Sequence, residues 1–248
     1  MLAAGFLAGF IDSIVGGGGL IQVPALFAGY PNVPPAQLLG TNKLGSLCGT
    51  SSSTLRYLRA VKLPWRRLLP ALGAAFLAAL LGASLVSRVS PTVFRPLVPV
   101  MLAAVLVYVL WNKDLGSRHG PLEIRGGGAA AAMGGIGAIG FYDGFFGPGT
   151  GSFLMLLFVR IYGFDFLHAS AGARAVNVAT NAGALLLFAL QGTVHWGFGL
   201  ALGVSNATGS VLGAHAAIKH GSKFVRAIYI AVVLSLIAKT AYNALQTG

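Results

Sequence analysis

The stretch that decides the fold is DSIVGGGGLIQVP, residues 12–24, which places an aspartate and four consecutive glycines inside a very apolar part of the chain. A membrane-spanning helix avoids both features, because a buried carboxylate is costly and a glycine run frees backbone groups that lipid cannot satisfy. A similar stretch, DGFFGPGTGSFLM, returns at residues 143–155. The repetition of so unfavourable a sequence indicates a dedicated structural or functional purpose.

The composition around these stretches is that of a membrane protein. Of the 248 residues, 56% are hydrophobic and 9% are charged, whereas a soluble domain has about 25% charged residues. A helix needs about 20 mainly apolar residues to cross a bilayer. The predicted spans are Leu68–Ser87, Val93–Trp111, Gly172–Leu190, Trp196–Ile218 and Val225–Leu245, with the more polar Gln37–Leu58 as a weaker span. The sequence therefore predicts an all-α, polytopic membrane protein.

The chain contains an internal repeat. Shifting the sequence by 131 residues aligns Asp12 with Asp143 and Trp65 with Trp196, and no gap is needed. We therefore predict one integral membrane domain with three parts: a first transmembrane repeat at 1–112, a polar linker at 113–131 and a second transmembrane repeat at 132–248.

The charges of the loops favour opposite orientations for the two repeats. Loop 56–67 holds five basic residues and no acidic one, whereas its counterpart, 187–198, holds no lysine or arginine. Loop 87–95 has two basic residues, and its counterpart, 218–226, has three. Because basic loops stay in the cytoplasm, we expect loop 56–67 there, loop 187–198 in the periplasm, and the two repeats inverted.

Each repeat is expected to begin with a broken helical hairpin. Met1–Val15 and Leu20–Tyr30 are each too short to span comfortably, so we predict two half-helices that meet at the glycines and dip into the membrane. Three transmembrane helices follow in each repeat. Inverted repeats with broken helices near the bilayer midplane are typical of secondary transporters.

The glycine clusters have two interpretations. The N–H groups at the start of the second half-helix bear the positive end of a helix dipole and bind anions, and glycine lets an oxyanion approach the backbone. Gly16–Gly19 and Gly147–Gly151 would then form two facing anion cradles. Alternatively, the glycines only allow close packing between helices.

The next helix of each repeat has a polar stripe at helical spacing. In the first repeat it consists of Lys43, Ser46 and Thr50. In the second it consists of Arg174, Asn177 and Asn181. A cation beside a helix N-terminus suits a small oxyanion. The alternative is that both cations extend to the membrane interface.

Three roles are open for Asp12 and Asp143. Each could hold a coupling proton, because a low dielectric disfavours the charged form of a carboxyl group. Each could instead pair with Lys43 or Arg174, or cap the broken backbone.

No cofactor, metal site or catalytic group is predicted. The glycine run is not followed by the Gly-Lys-Ser/Thr of a nucleotide-binding loop, the histidines lack metal-ligand spacing, and Cys48 lacks a nearby base or second thiol. The net charge of +12 is explained by cytoplasmic loops and anionic lipid headgroups rather than by nucleic acid. The expected partners are membrane lipids and a small anionic substrate. A homo-oligomer is compatible with the sequence but has no support in it.

Four segments carry a resemblance to a known family. They are GFIDSIVGGGGLIQVPAL (9–26), LLGTNKLGSLCGTSSSTLRYLR (38–59), GFYDGFFGPGTGSFLMLLF (140–158) and ARAVNVATNAGALLLF (173–188). The chain resembles the sulfite exporter TauE/SafE family, also called the toluene sulfonate uptake permease family, over essentially its whole length. The resemblance implies a carrier of sulfur-containing anions, such as sulfite and sulfoacetate, in the bacterial inner membrane. The second repeat has GARA where the first has GTNK, so the two sites need not be equivalent.

Together, these observations predict a multi-pass secondary transporter of small sulfur-containing oxyanions, with the anion held at facing half-helix N-termini near the midplane. A passive anion channel and a non-transport membrane assembly subunit are the alternatives. The predicted substrate-binding residues are Gly16, Gly17, Gly18, Gly19, Thr41, Asn42, Lys43, Ser46, Thr50, Gly147, Gly149, Thr150, Gly151, Arg174, Asn177 and Asn181. Of these, Thr41 and Asn42 are implied by the family resemblance alone. Asp12 and Asp143 are the predicted coupling or gating residues.

Overall fold

The computed structural model describes residues 1–86 and 127–246, and all regular secondary structure in these two ranges is helical. The helices are α1 (Leu2–Val15), α2 (Gly19–Gly29), α3 (Pro35–Leu58), α4 (Trp65–Ser84), α5 (Gly127–Phe145), α6 (Thr150–Tyr162), α7 (Phe166–Leu190) and α8 (Trp196–Gln246). The predicted span Val93–Trp111 and loop 87–95 lie outside the described residues. So does most of the predicted linker 113–131, the last five residues of which belong to α5.

Two short connections form the predicted breaks. Gly16 ends α1 in the left-handed region, with φ of 84°, and α2 begins three residues later. In the second repeat Gly147 and Gly149 have φ of 95° and 85°, and α6 begins at the next residue. Glycine adopts these angles without steric cost, which explains why each hairpin turns within a few residues.

The predicted helices at 196–218 and 225–245 correspond to the two helical parts of α8, which meet at Gly221, where φ is 71° and ψ is −169°. Only the connection differs from the prediction: the break is at one residue instead of a loop at 218–226. One glycine with a positive φ is sufficient to break the hydrogen-bonding pattern, so no longer loop is needed.

The same helix–helix contact occurs twice, between positions that are related by the 131-residue offset of the repeat. In one set of contacts, Gly9 of α1 lies against the backbone of Asn206 in α8. In the other, Gly140 of α5 lies against the backbone of Ala75 in α4. Small residues let membrane helices approach this closely. As a result, α4 of the first repeat packs on the second repeat, and α8 of the second repeat packs on the first.

Large apolar side chains lie on the outside of the described helices, whereas three charged side chains are buried in the interior. The exposed residues include Leu69, Leu77 and Leu81 of α4 and Leu200, Val204 and Leu212 of α8. Lys43, Asp143 and Arg174 are by contrast at most 2% exposed. A water-soluble protein has the opposite distribution, so the outer surface is suited to lipid.

By length and hydropathy alone, one helix in the described ranges, Phe166–Leu190, is long and apolar enough to cross a membrane. The neighbouring helix α3 fails this criterion because it contains Lys43 and many hydroxyl and amide side chains, most of them turned inward. The number of spans predicted from the sequence therefore stays a prediction.

Candidate functional site

The two helix breaks meet in the interior. A Cβ atom at Gly16 would overlap the backbone of Gly151, and one at Gly19 would lie 3.1 Å from Cα of Pro148. The first turns of α2 and α6 are therefore neighbours. The N–H groups of Gly19 and Gly151 make no hydrogen bond to any residue that the structure describes, as expected for the first N–H groups of a helix.

Two buried ion pairs flank this meeting point, and each of them joins the two repeats. Lys43 Nζ lies 2.9 Å from Asp143 Oδ2, and both side chains are 3% exposed. This contact has the distance of an ion pair but not the angles of a hydrogen bond. In the other pair, Arg174 Nη1 donates to Asp12 Oδ2 at 3.1 Å. Neither cation extends to the surface, in contrast to the interfacial alternative.

Asp12 has a second contact. Its Oδ1 accepts a hydrogen bond from the backbone N–H of Gly18 at 3.1 Å. One carboxylate thus both pairs with Arg174 and binds the freed backbone of the α1–α2 connection. Because Asp143 pairs with Lys43, each aspartate contacts the cation of the opposite repeat.

A small cavity of about 20 Å³ lies between the breaks and the ion pairs. Its lining consists of glycine, charged residues, hydroxyl groups and amides: Asp12, Gly16, Gly19, Asn42, Lys43, Ser46, Thr50, Asp143, Gly147, Gly151, Asn177 and Asn181. All twelve belong to the residues predicted from the sequence. This volume accommodates about one water molecule, so the central cavity is smaller than a sulfur oxyanion.

Six predicted residues do not line the central cavity: Gly17, Gly18, Thr41, Gly149, Thr150 and Arg174. The hydroxyl of Thr41 lies toward the α7–α8 connection, where it accepts from the N–H of His195 at 3.1 Å. The hydroxyl of Thr150 donates to the carbonyl of Gly147 at 2.7 Å and so stabilises the break.

Arg174 lies directly behind the lining. Its side chain is 0% exposed, and its Nε and Nη2 atoms have no hydrogen-bond partner among the described residues. A Cβ at Gly151 would collide with Nη2, so the guanidinium and the α6 N-terminus are adjacent. At least one donor of a buried cation, Nη2, is therefore available on the side of α6.

The model of the family described as Sulfite exporter TauE/SafE matches residues 1–240. The chain belongs to this family. It is 38% identical over 239 residues to the probable membrane transporter protein YfcA of Escherichia coli, which covers 96% of this chain and 87% of the relative.

Two further relatives have the same kind of name. A probable membrane transporter protein of Sinorhizobium sp. is 38% identical over 236 residues, 95% of this chain and 89% of its own. A probable membrane transporter protein of Haemophilus influenzae is 34% identical over 245 residues, 98% of this chain and 94% of its own. No solved structure matches the chain. Family and relatives together identify a membrane transporter.

Sequence reasoning missed two polar groups of this TauE/SafE protein. The first fixes the end of α1: the hydroxyls of Tyr57, Ser152 and Ser170 donate to the carbonyls of Ser13, Val15 and Ile14, respectively, at 2.8 to 3.0 Å. The second is a buried amide pair, Gln22 and Asn206, joined by a hydrogen bond of 2.7 Å. A polar residue within an apolar stretch, as at Gln22 and Asn206, was the available signal.

Within the described residues, no group of three or more histidine, cysteine, aspartate or glutamate side chains is placed to hold a metal ion. The chemistry available at the central cavity is therefore that of two cations, two carboxylates, neutral hydrogen-bonding groups and two helix N-termini.

Proposed function

We propose that the chain is a secondary transporter of small sulfur-containing oxyanions, such as sulfite and sulfoacetate, in the bacterial inner membrane. One observation carries the proposal: two helix N-termini and the cation Lys43 converge on one buried central cavity, with Arg174 directly behind it. Helix N-termini and charge-assisted hydrogen bonds are the groups with which proteins bind oxyanions.

The substrate competes with the aspartates for the same partners. In the structure, Asp143 is paired with Lys43, the cation that a substrate oxygen would bind. Asp12 is paired in the same way with Arg174. An entering anion replaces one carboxylate at its cation, and the cavity expands to receive it. Because the cavity is smaller than the anion, a carrier that opens alternately is favoured over a permanently open channel.

Charge balance favours proton coupling. The two cations and two carboxylates of the site sum to zero formal charge. An added anion would leave an uncompensated negative charge in a low dielectric, which is strongly unfavourable. We propose that a proton on Asp143 compensates this charge, so that anion and proton move together.

The inverted arrangement is part of the same proposal. It is supported by the equivalent positions of the two breaks, by the contacts that recur at the 131-residue offset, and by the five basic residues of loop 56–67 against none in 187–198. An inverted pair of repeats around one site permits alternate opening to the two sides of the membrane.

A binding screen tests the proposed function. Detergent-purified protein is titrated with sulfite, sulfoacetate, taurine, sulfate and acetate, and its unfolding temperature is measured. We expect sulfite or sulfoacetate to raise this temperature in a saturable manner, because a ligand that binds only the folded state stabilises it. No shift with any sulfur anion, or an equal shift with acetate, would contradict the proposal.

A further inference from the structure

The buried amide pair lies outside the function described so far. Asn206 Nδ2 donates to Gln22 Oε1 at 2.7 Å, and the hydroxyl of Ser210 lies 3.3 Å from Asn206 Oδ1. Gln22 is 2% exposed and Asn206 is 4% exposed. Gln22 Nε2 has no hydrogen-bond partner among the described residues. A buried donor without a partner is unfavourable, so this N–H group is available to a ligand.

The amide pair is next to the central cavity. Gln22 follows Gly19 by three residues and so lies on the same face of α2, one turn further on. Its Nε2 atom is turned toward α3, where a Cβ at Gly45 would lie 3.0 Å away. Gly45 follows Asn42, a residue of the cavity lining, by three residues and so lies on the same face of α3. Gln22 is therefore the next polar side chain beyond the cavity along α2.

The second repeat has no equivalent of this polar group. The positions related to Gln22, Asn206 and Ser210 by the 131-residue offset are Phe153, Ala75 and Ala79, all apolar. The same helix packing is formed there without amides, since Gly140 and Ala75 make the contact that Gly9 and Asn206 make in the first repeat. Packing alone thus does not require the pair.

A thin apolar cover separates the pair from the surface. Leu26, Leu38 and Leu202 form a small buried cluster of their own, where α2 ends and α3 and α8 begin. Outside this cluster, Tyr30 and Phe198 are in edge contact, with ring centroids 5.4 Å apart, and Tyr30 is 39% exposed.

We propose that Gln22 and Asn206 form a second binding position for the oxyanion, entered from the face of the α2–α3 and α7–α8 connections and covered by the three leucines. This inference rests on the proposed function. The amide N–H of Gln22 donates to a sulfonate or sulfite oxygen. Because the amides are neutral, they bind the anion more weakly than Lys43 and Arg174 do. Weak binding is suited to a transient site on the transport route.

Cysteine labelling tests the position and its route. In a Cys48→Ser background, Gln22→Cys is treated with a membrane-impermeant methanethiosulfonate that bears a sulfonate, with and without Leu202→Ala. The matched control is Phe153→Cys, the equivalent site of the other repeat. We expect Leu202→Ala to accelerate labelling at position 22 but not at 153, and sulfoacetate to slow it. If Leu202→Ala accelerates labelling at neither position, or equally at positions 22 and 153, the proposed route is wrong.

A second variant separates binding from packing. Gln22→Met keeps the length of the side chain and removes the donor. We expect sulfoacetate to bind about 10-fold more weakly, the lower end of the value of a hydrogen bond to a charged group. The unfolding temperature should also fall, because Asn206 Nδ2 loses its acceptor, so the affinity is the measurement that decides. A lower unfolding temperature with unchanged affinity would mean that the amides only pack. If wild-type protein binds neither sulfite nor sulfoacetate, the proposed function fails, and the Leu202 dependence of labelling still decides the route; if it binds only sulfite, sulfite replaces sulfoacetate in both tests.

Discussion

Replacing Asp143 by asparagine should tighten anion binding. The side chain keeps its size but loses its charge, so it no longer competes with the substrate for Lys43, from which it lies 2.9 Å away. A charge-assisted hydrogen bond contributes about 1.5–3 kcal/mol. In the wild type the substrate must break the contact between Asp143 and Lys43 before it gains this bond. Removal of the carboxylate should therefore strengthen substrate binding about 10- to 100-fold.

The same replacement should destabilise the protein when no anion is present. Lys43 becomes a buried cation without a counterion, and breaking a buried ion pair costs about 3–5 kcal/mol. The bound anion restores the balance. The difference in unfolding temperature between anion-free and anion-saturated protein should therefore be larger in Asp143→Asn than in the wild type.

The assay is a titration of sulfoacetate into purified protein, followed by thermal unfolding with and without the anion. Asp165→Asn is the matched control, because Asp165 caps α7 through the N–H of His168 and is not part of the cavity lining. Asparagine is as good an N-cap as aspartate but loses the charge that faces His168 Nδ1 at 2.8 Å. The control should therefore leave sulfoacetate binding unchanged and lower the unfolding temperature equally with and without the anion. Equal or weaker sulfoacetate binding by Asp143→Asn would refute the competition between carboxylate and substrate.

Three further predictions concern other parts of the account. Lys43→Gln should weaken sulfoacetate binding about 10- to 100-fold, the value of one charge-assisted hydrogen bond; calorimetry that gives an unaltered dissociation constant would argue against Lys43 as a ligand. Gly151→Ala should lower the unfolding temperature, because its Cβ would collide with the guanidinium behind it. A Cβ at Gly17 would lie no closer than 3.3 Å to any side chain, so Gly17→Ala should be mild; an equal fall in unfolding temperature in the two variants would contradict the tight packing at Gly151. Single cysteines in loops 56–67 and 190–196 should be labelled from opposite sides of the membrane, and labelling of both from one side would rule out inverted repeats.

The lining of the central cavity could be predicted from the sequence because the membrane restricts where polar residues can lie. Lys43, Ser46 and Thr50 recur at helical spacing in an otherwise apolar context, so they share a face that must turn inward. The breaks were equally predictable, since glycine runs at Gly16 and Gly147 are incompatible with a continuous lipid-facing helix.

The pairing across repeats could not be predicted. Each aspartate precedes its own repeat's cation by 31 residues, and nothing in that spacing distinguishes a pair within a repeat from a pair between repeats. The choice depends on how the two hairpins interlock, which is a tertiary property. The same holds for Gln22 and Asn206, which lie 184 residues apart in the chain.

Transport into sealed vesicles tests the central claim most directly. Purified protein is reconstituted into proteoliposomes, and uptake of radiolabelled sulfite is measured with and without an imposed proton gradient, for the wild type and for Lys43→Gln. The account predicts saturable uptake that the gradient accelerates in the wild type, and uptake close to that of empty vesicles in the variant. Uptake that does not saturate, ignores the gradient, or is equal in the two proteins would contradict a proton-coupled carrier built around the two ion pairs.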